Sequence, residues 1–548
     1  MVDAVVIGAG PNGLVAANLL ADVGWDVEVL EAQGEPGGSV RSDHGAHPDY
    51  VSDVCSAFYP LGVASPPMLG LELERYGLEW RHATAVLAHP VPDGRCAVLE
   101  RDPEQTAVSL EELGRGDGAA WLRLYGRWER VGEELIRALF SPFPPVRAAT
   151  ALAAKAGPPG DALRLLRFMA LPVRRMGEEE FAGLGGRLLL AGAALHVDLP
   201  PEAAGSGAFG WLLTMLGQQY GWPVPKGGAG ELTAALVRRL ESRGGRIRCG
   251  VPVTSVVVRA GRALGVRTAD GEAVRAHRAV LADVSAPALY GGLVGWEHLP
   301  GRLRDDMRRF QWDFATFKVD WALSGPIPWA APRAARAGTV HLARDVDAMT
   351  DYNAHLATGR VPAVPYVLLG QMTTADPSRS PAGTESVWAY THVPQRISGD
   401  AGPDGITGRW DDRDQCAMAD RLETTVERYA PGFRARIVAR RILAPPTLEA
   451  HNANLHGGAL NGGTAAPHQQ LFLRPVPGTG RPETPVAGLY LASASAHPGG
   501  GVHGACGANA ARAALRAGGP VRRFAVDPAL SGLRHLLTGS GPRPATGP

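Results

Sequence analysis

Asp3-Ala-Val-Val-Ile-Gly-Ala-Gly-Pro-Asn-Gly-Leu-Val-Ala-Ala17 decides the fold of this chain. The apolar run Ala4 to Ile7 reads as a buried parallel strand that breaks at Gly8. A helical pattern starts near Asn12, with Leu14, Leu19 and Leu20 among its apolar positions. Gly8, Gly10 and Gly13 form G-x-G-x-x-G at that junction. The first glycine permits the tight turn, the second lets the backbone approach a pyrophosphate, and the third lets helix and strand pack closely. Pro11 and Asn12 open the helix, whose free N–H groups and positive dipole end point at phosphates. A second strand, Trp25-Asp-Val-Glu-Val-Leu-Glu, ends in Glu31. It falls about 20 residues on, where such a unit places the carboxylate that accepts hydrogen bonds from ribose hydroxyls. The pattern calls for a dinucleotide.

The next run, Glu31-Ala-Gln-Gly-Glu-Pro-Gly-Gly-Ser-Val-Arg-Ser, resembles the extension found in flavoproteins of the amine oxidase and phytoene desaturase superfamily. The resemblance implies that Gly37, Gly38 and Arg41 close over an FAD pyrophosphate and ribityl chain. Paired glycines allow close backbone approach, and a guanidinium suits phosphate oxygens. Near the other end, Pro485-Val-Ala-Gly-Leu-Tyr-Leu-Ala-Ser-Ala-Ser-Ala-His-Pro-Gly-Gly-Gly-Val-His-Gly-Ala-Cys-Gly-Ala-Asn resembles the closing FAD motif of phytoene desaturase-like oxidoreductases. A strand there (489–492) leads to a glycine turn with Gly500 and Gly501, then to a helix expected to begin near Val502. Its N–H groups face the flavin pyrimidine, where negative charge develops on reduction. His456-Gly-Gly-Ala-Leu and Gln470-Leu-Phe-Leu-Arg-Pro resemble the same family, and Val253 matches its backbone contact to adenine. Ser493 and Ser495 stand where carotenoid desaturases usually carry glycine, and Ala459 where Asp is frequent; a carotenoid substrate does not follow from the resemblance.

Composition bounds the remaining classes. The chain has 548 residues, enough for more than one domain, with 45% hydrophobic and 20% charged residues. A formal net charge of +1 gives no electrostatic footprint for nucleic acid. Cys55, Cys96, Cys249, Cys416 and Cys506 are scattered without C-x-x-C, which argues for a reducing, cytoplasmic setting and against a disulfide framework or metal site. No basic segment precedes the first apolar run, so no signal peptide is expected. The longest apolar run, 188–195, is too short to span a bilayer. A soluble chain is expected, at most peripheral to a membrane through the basic amphipathic stretch 161–175.

The expected architecture is α/β: a Rossmann-like FAD-binding domain of three segments (1–75, 225–290, 485–520), interleaved with an α+β substrate domain (76–224, 291–484). Residues 521–548, rich in Gly, Pro and Ser, read as a partly disordered tail. Trp121, Leu124, Trp128, Val131 and Leu135 share one face of a helix over 118–139, a core pattern. The activity implied is FAD-dependent oxidation of a hydrophobic small molecule by hydride transfer to flavin. The alternatives are a flavin amine oxidase and a non-catalytic carrier of the same architecture, like the GDP dissociation inhibitors. Lys318 and His503 are the catalytic candidates. Lys318, in Phe317-Lys-Val-Asp-Trp, resembles the monoamine oxidase lysine that holds a water against the flavin; otherwise it lies on an exposed strand face. His503 is a proton relay beside the flavin or a ligand of local backbone.

Overall fold

A computed structural model describes residues 1–517; the tail over 521–548 lies outside them. Two sheets carry the fold. In the first, Val2–Ile7 is central, parallel to Val27–Leu30 on one side and to Ala273–Ala282 on the other. Arg246–Arg248 extends the sheet beyond Val27–Leu30, and Leu489–Leu491 pairs parallel with Ala273–Ala282. Val253–Arg259, Arg262–Thr268 and the start of Ala273–Ala282 form an antiparallel meander that turns at 260–261 and 270–271. Ala273–Ala282 joins the two regions. Its start pairs with Arg262–Thr268, and its end runs beside Val2–Ile7 with Ala279 opposite Ala4 and Ala282 opposite Ile7.

Helices Pro11–Ala21, Gly230–Ser242 and Ala505–Ala517 cover one face, packing Leu14, Leu20, Leu232, Leu236 and Ala511 into one core. The closing helix presses hard on the first. A Cβ at Gly507 would lie 1.8 Å from the Asn12 carbonyl oxygen, so only glycine permits this approach. That helix starts at Ala505, not near Val502, because Gly504 takes φ +65° and interrupts the helical backbone.

The second sheet has the order Ile437–Leu443, Ala315–Leu323, Glu385–Val393, Val367–Gln371, Ala337–Leu342, Ala85–Pro90, Cys96–Leu99. Every residue of Ala315–Leu323 is buried. Helix Asp412–Tyr429 packs on one face through Met418, Leu422 and Val426. Helices Asp117–Phe140, Leu184–Ala194 and Ser206–Tyr220 roof the other. Trp121 and Trp128 are buried there, and their indole N–H groups donate to Gln218 and Gln219. These aromatics are packing residues.

The basic stretch 161–175 is two helices, Pro159–Ala170 and Val173–Glu180. Pro172 separates them, since it lacks the N–H a continuous helix needs. Arg167 pairs with Glu179, and Arg174 with Glu202 and Asp347. Among the described residues no helix is long and apolar enough to cross a membrane.

Candidate functional site

A cavity of about 670 Å³ begins at the C-terminal end of the first sheet and runs to the second. That end of a parallel sheet is where ligands bind in open α/β folds, and the volume suits a cofactor-sized ligand. Gly8, Gly10, Pro11, Asn12 and Glu31 line its near end, with Gly38 and Val253 beside them. Gly500, Gly501 and Val502 line it ahead of the closing helix. The far end is formed by Phe58, Leu213, Trp222, Trp388, Tyr390 and His392.

The turn is built as its glycines demand. A Cβ at Gly13 would sit 2.2 Å from the Gly8 carbonyl oxygen, so the helix crosses the strand end only with glycine there. Glu31 is buried; one carboxylate oxygen accepts from the Ala9 N–H at 2.7 Å and the other from the Gln33 N–H at 2.9 Å. Each oxygen keeps a further lone pair for a ribose hydroxyl. The Oδ1 of Asn12 is buried without a partner beside the cavity, which a ligand donor would satisfy. Together the glycine cradle, the helix start and this orphaned acceptor fit a dinucleotide.

Gly13, Gly37, Arg41, Lys318 and His503 do not line the cavity. The Gly13 N–H donates to Asp283 at 2.8 Å, so it is not free for a phosphate. Gly37 donates to the Ala9 carbonyl and fixes the loop behind the turn. Arg41 was expected on the pyrophosphate; instead its guanidinium donates to the Gly38 and His451 carbonyls at 3.0 and 2.9 Å and pairs with Glu35. It holds the Gly37–Gly38 loop and so acts on the cradle indirectly.

Lys318 is neither over the cavity nor on an exposed face. It is buried, donating to the Asp53 carbonyl at 2.9 Å and to the Asp320 carboxylate. Residues two apart on a strand share a face, so Asp320 is placed to capture the ammonium. Asp320 also accepts from Arg441, which reaches Asp43 at 2.6 Å. His503 likewise serves the backbone. Its Nδ1 accepts from the Ala505 N–H at 3.0 Å and its Nε2 contacts the Gly499 carbonyl at 3.2 Å. Burial pushes its pKa down to about 4, and both ring nitrogens are engaged by local backbone. The Cys506 thiol is pushed up to about 12 by burial and is not a thiolate.

Three groups escaped the sequence reading. Asp283 follows the strand end and lines the cavity; burial raises its carboxyl to about 7. An acidic residue just past a parallel strand was a usable signal. Asn454 bridges the Asp283 carbonyl and the Ser285 N–H; nothing local marks it. Trp388, Tyr390 and His392 alternate along Glu385–Val393, a period-two pattern that puts all three on one face.

The family described as flavin containing amine oxidoreductase matches residues 12–304, more than half of the chain. The chain belongs to that family. This flavin-containing oxidoreductase is an FAD-dependent enzyme. It is 28% identical to pyridine nucleotide-disulfide oxidoreductase domain-containing protein 2 of Mus musculus, over 94% of this chain and 93% of the mouse protein. It is 26% identical to the phytoene desaturase (lycopene-forming) of Pseudescherichia vulneris, over 93% and 98% respectively. Among solved structures it resembles a putrescine oxidase with TM-score 0.58 at 15% identity, covering 94% of this chain and 98% of that one. This last likeness speaks for the fold alone.

Proposed function

We propose that this flavoenzyme oxidises a neutral, largely apolar small molecule, with FAD lying along the cavity from the Gly8–Gly13 turn to the Gly500–Val502 turn. The domain division 1–75, 225–290 and 485–520 against 76–224 and 291–484 goes with that reading, as does a role for Arg41 and Gly37 in shaping the cradle. Bound FAD supplies a hydride acceptor. The chain supplies a pocket that orients the substrate and excludes water.

One observation carries the choice of substrate class. Among the described residues, the carboxylates lining the cavity are Glu31 and Asp283, both at the dinucleotide end. The far end offers aromatic and aliphatic surface and no carboxylate to receive an ammonium group. The desaturase likeness supports the same direction.

Anaerobic mixing of the FAD-loaded protein with apolar alkenes and alcohols, and separately with amines, tests this. Bleaching of the flavin band by the neutral set, with amines inert, is the expected result; reduction by amines alone overturns the reading. Glu31→Ala is expected to weaken FAD binding by about 1.5–3 kcal/mol, the value of hydrogen bonds to a charged group. Fluorescence titration of the apoprotein with FAD measures it, and an unchanged Kd removes Glu31 from the ribose.

A further inference from the structure

At the aromatic end of the cavity two imidazoles form a pair that the hydride-transfer chemistry does not use. His196 sits in the short turn Leu195–Val197 after helix Leu184–Ala194 and lines the cavity. Its Nε2 lies 2.8 Å from Nε2 of His341, which is fully buried on strand Ala337–Leu342. Thr339, two residues earlier and on the same strand face, also lines the cavity. Its hydroxyl is buried and has no partner.

The close Nε2 contact requires one ring to donate and the other to accept. His341 Nδ1 is buried with no partner. Were the His341 proton on Nδ1, a buried N–H would be orphaned, a rarer and costlier state than an orphaned acceptor. The proton therefore belongs on His341 Nε2, donating to Nε2 of His196. His196 then carries its own proton on Nδ1, which no protein group accepts among the described residues. The relay leaves an N–H donor at the cavity wall, with the Thr339 hydroxyl as a second polar group.

Resting on the function proposed above, we propose that the substrate carries a neutral acceptor oxygen, such as a ketone or ester carbonyl, bound by His196 Nδ1–H at the aromatic end of the cavity. Both rings stay neutral. Burial lowers His196 to about 3, helped by the nearby His392, and burial with His196 and His89 lowers His341 well below its ordinary value. Asp198, 2.9 Å away, raises the pKa of His392 against the effect of burial. That pairing engages the His392 ring with Asp198. Among the described residues no Lys or Arg lines the cavity, so a substrate carboxylate would lack a counter-ion there. The oxygen is thus a neutral one. A pure hydrocarbon would leave the His196 N–H and the Thr339 hydroxyl unpaired, which disfavours its binding relative to an oxygen-bearing substrate.

The test uses two probes with the FAD-loaded protein: a straight-chain methyl ketone and its isosteric alkene, with CH2 replacing the carbonyl oxygen. Binding is read as perturbation of the flavin absorbance. The ketone is expected to bind about tenfold more tightly. His196→Phe should weaken the ketone to the level of the alkene, and Thr339→Val should move it part of the way. Nitrogen-15 imidazole NMR of the unmodified protein gives a readout independent of any variant's folding: His196 should be protonated on Nδ1. Equal binding of both probes, or a His196 proton on Nε2, overturns the inference while leaving an apolar substrate in place. Failure of both probes to bind overturns the proposed function and the inference with it.

Discussion

Arg379→Met is expected to destabilise the folded chain by about 3–5 kcal/mol, the effect of removing one partner from a buried ion pair. Arg379 is fully buried, as is Asp53 beside it. Its Nη1 donates to Asp53 at 3.1 Å, its Nε to Asp376 at 3.1 Å, and its Nη2 to the Pro225 carbonyl at 3.3 Å. The same Asp53 oxygen accepts from Ser42 and from the Ala229 N–H, and Asp376 accepts from the Gly227 N–H. One guanidinium thus ties together the chain near residues 53, 225–229 and 376. Methionine fills much of the space but leaves two buried carboxylates without their cation. Urea titration of the variant should show a lower midpoint with little change in slope. Adding Asp53→Asn and Asp376→Asn should return part of the loss, since the penalty lies in the stranded charges. A loss below about 1 kcal/mol would mean that water or rearrangement already compensates these carboxylates, and the network would not be the tie described.

What was legible in the sequence was whatever is written locally. Gly8, Gly10 and Gly13 mark a turn within six residues, and a Cβ at Gly13 would strike the Gly8 carbonyl oxygen five residues earlier. Helix Asp117–Phe140 and strand Ala315–Leu323 show their periods in consecutive residues. FAD followed from motifs at both ends of the chain. The roles of single polar side chains were less legible. Lys318 sits where a flavin-facing lysine was expected by resemblance, yet Asp320 and the Asp53 carbonyl hold it. Arg41 lies beside the Gly-Gly pair as expected, yet His451, from a distant segment, supplies the carbonyl it binds. Asn454, Arg379 and the His196–His341 pair depend on partners 145 or more residues away. No local pattern marks which partner a charged or polar group will meet after the chain has closed on itself.

Asp283→Asn is expected to stabilise the protein increasingly as pH rises, reaching about 4 kcal/mol above pH 7 and vanishing near pH 4. The carboxyl lies at the end of Ala273–Ala282, against the glycine turn, and accepts the Gly13 N–H. Burial raises its pKa from 3.8 to about 7; the hydrogen bond from Gly13 lowers it, and the charge of Glu31 raises it further. The sign follows from proton counts. Between these two values the folded chain holds a proton that the unfolded chain has lost, so stability falls with rising pH, and above about 7 both forms are ionised and the loss is complete. Asparagine keeps an oxygen to accept from Gly13 and never ionises, so the difference between the two proteins isolates this group from every other carboxylate. Urea titrations from pH 4 to 8 at matched FAD saturation measure it. The same carboxylate occupies a helix-start N–H that a phosphate would otherwise draw on. FAD affinity of the unmodified protein should therefore fall by about tenfold, roughly 1.4 kcal/mol, between pH 6 and 8, as Asp283 gains its charge at the turn proposed to hold the pyrophosphate. In Asp283→Asn that fall should be absent. A stability difference between the two proteins and an FAD affinity of the unmodified protein that are both flat across the range would show that Asp283 is ionised throughout, held as an ordinary carboxylate by the Gly13 N–H.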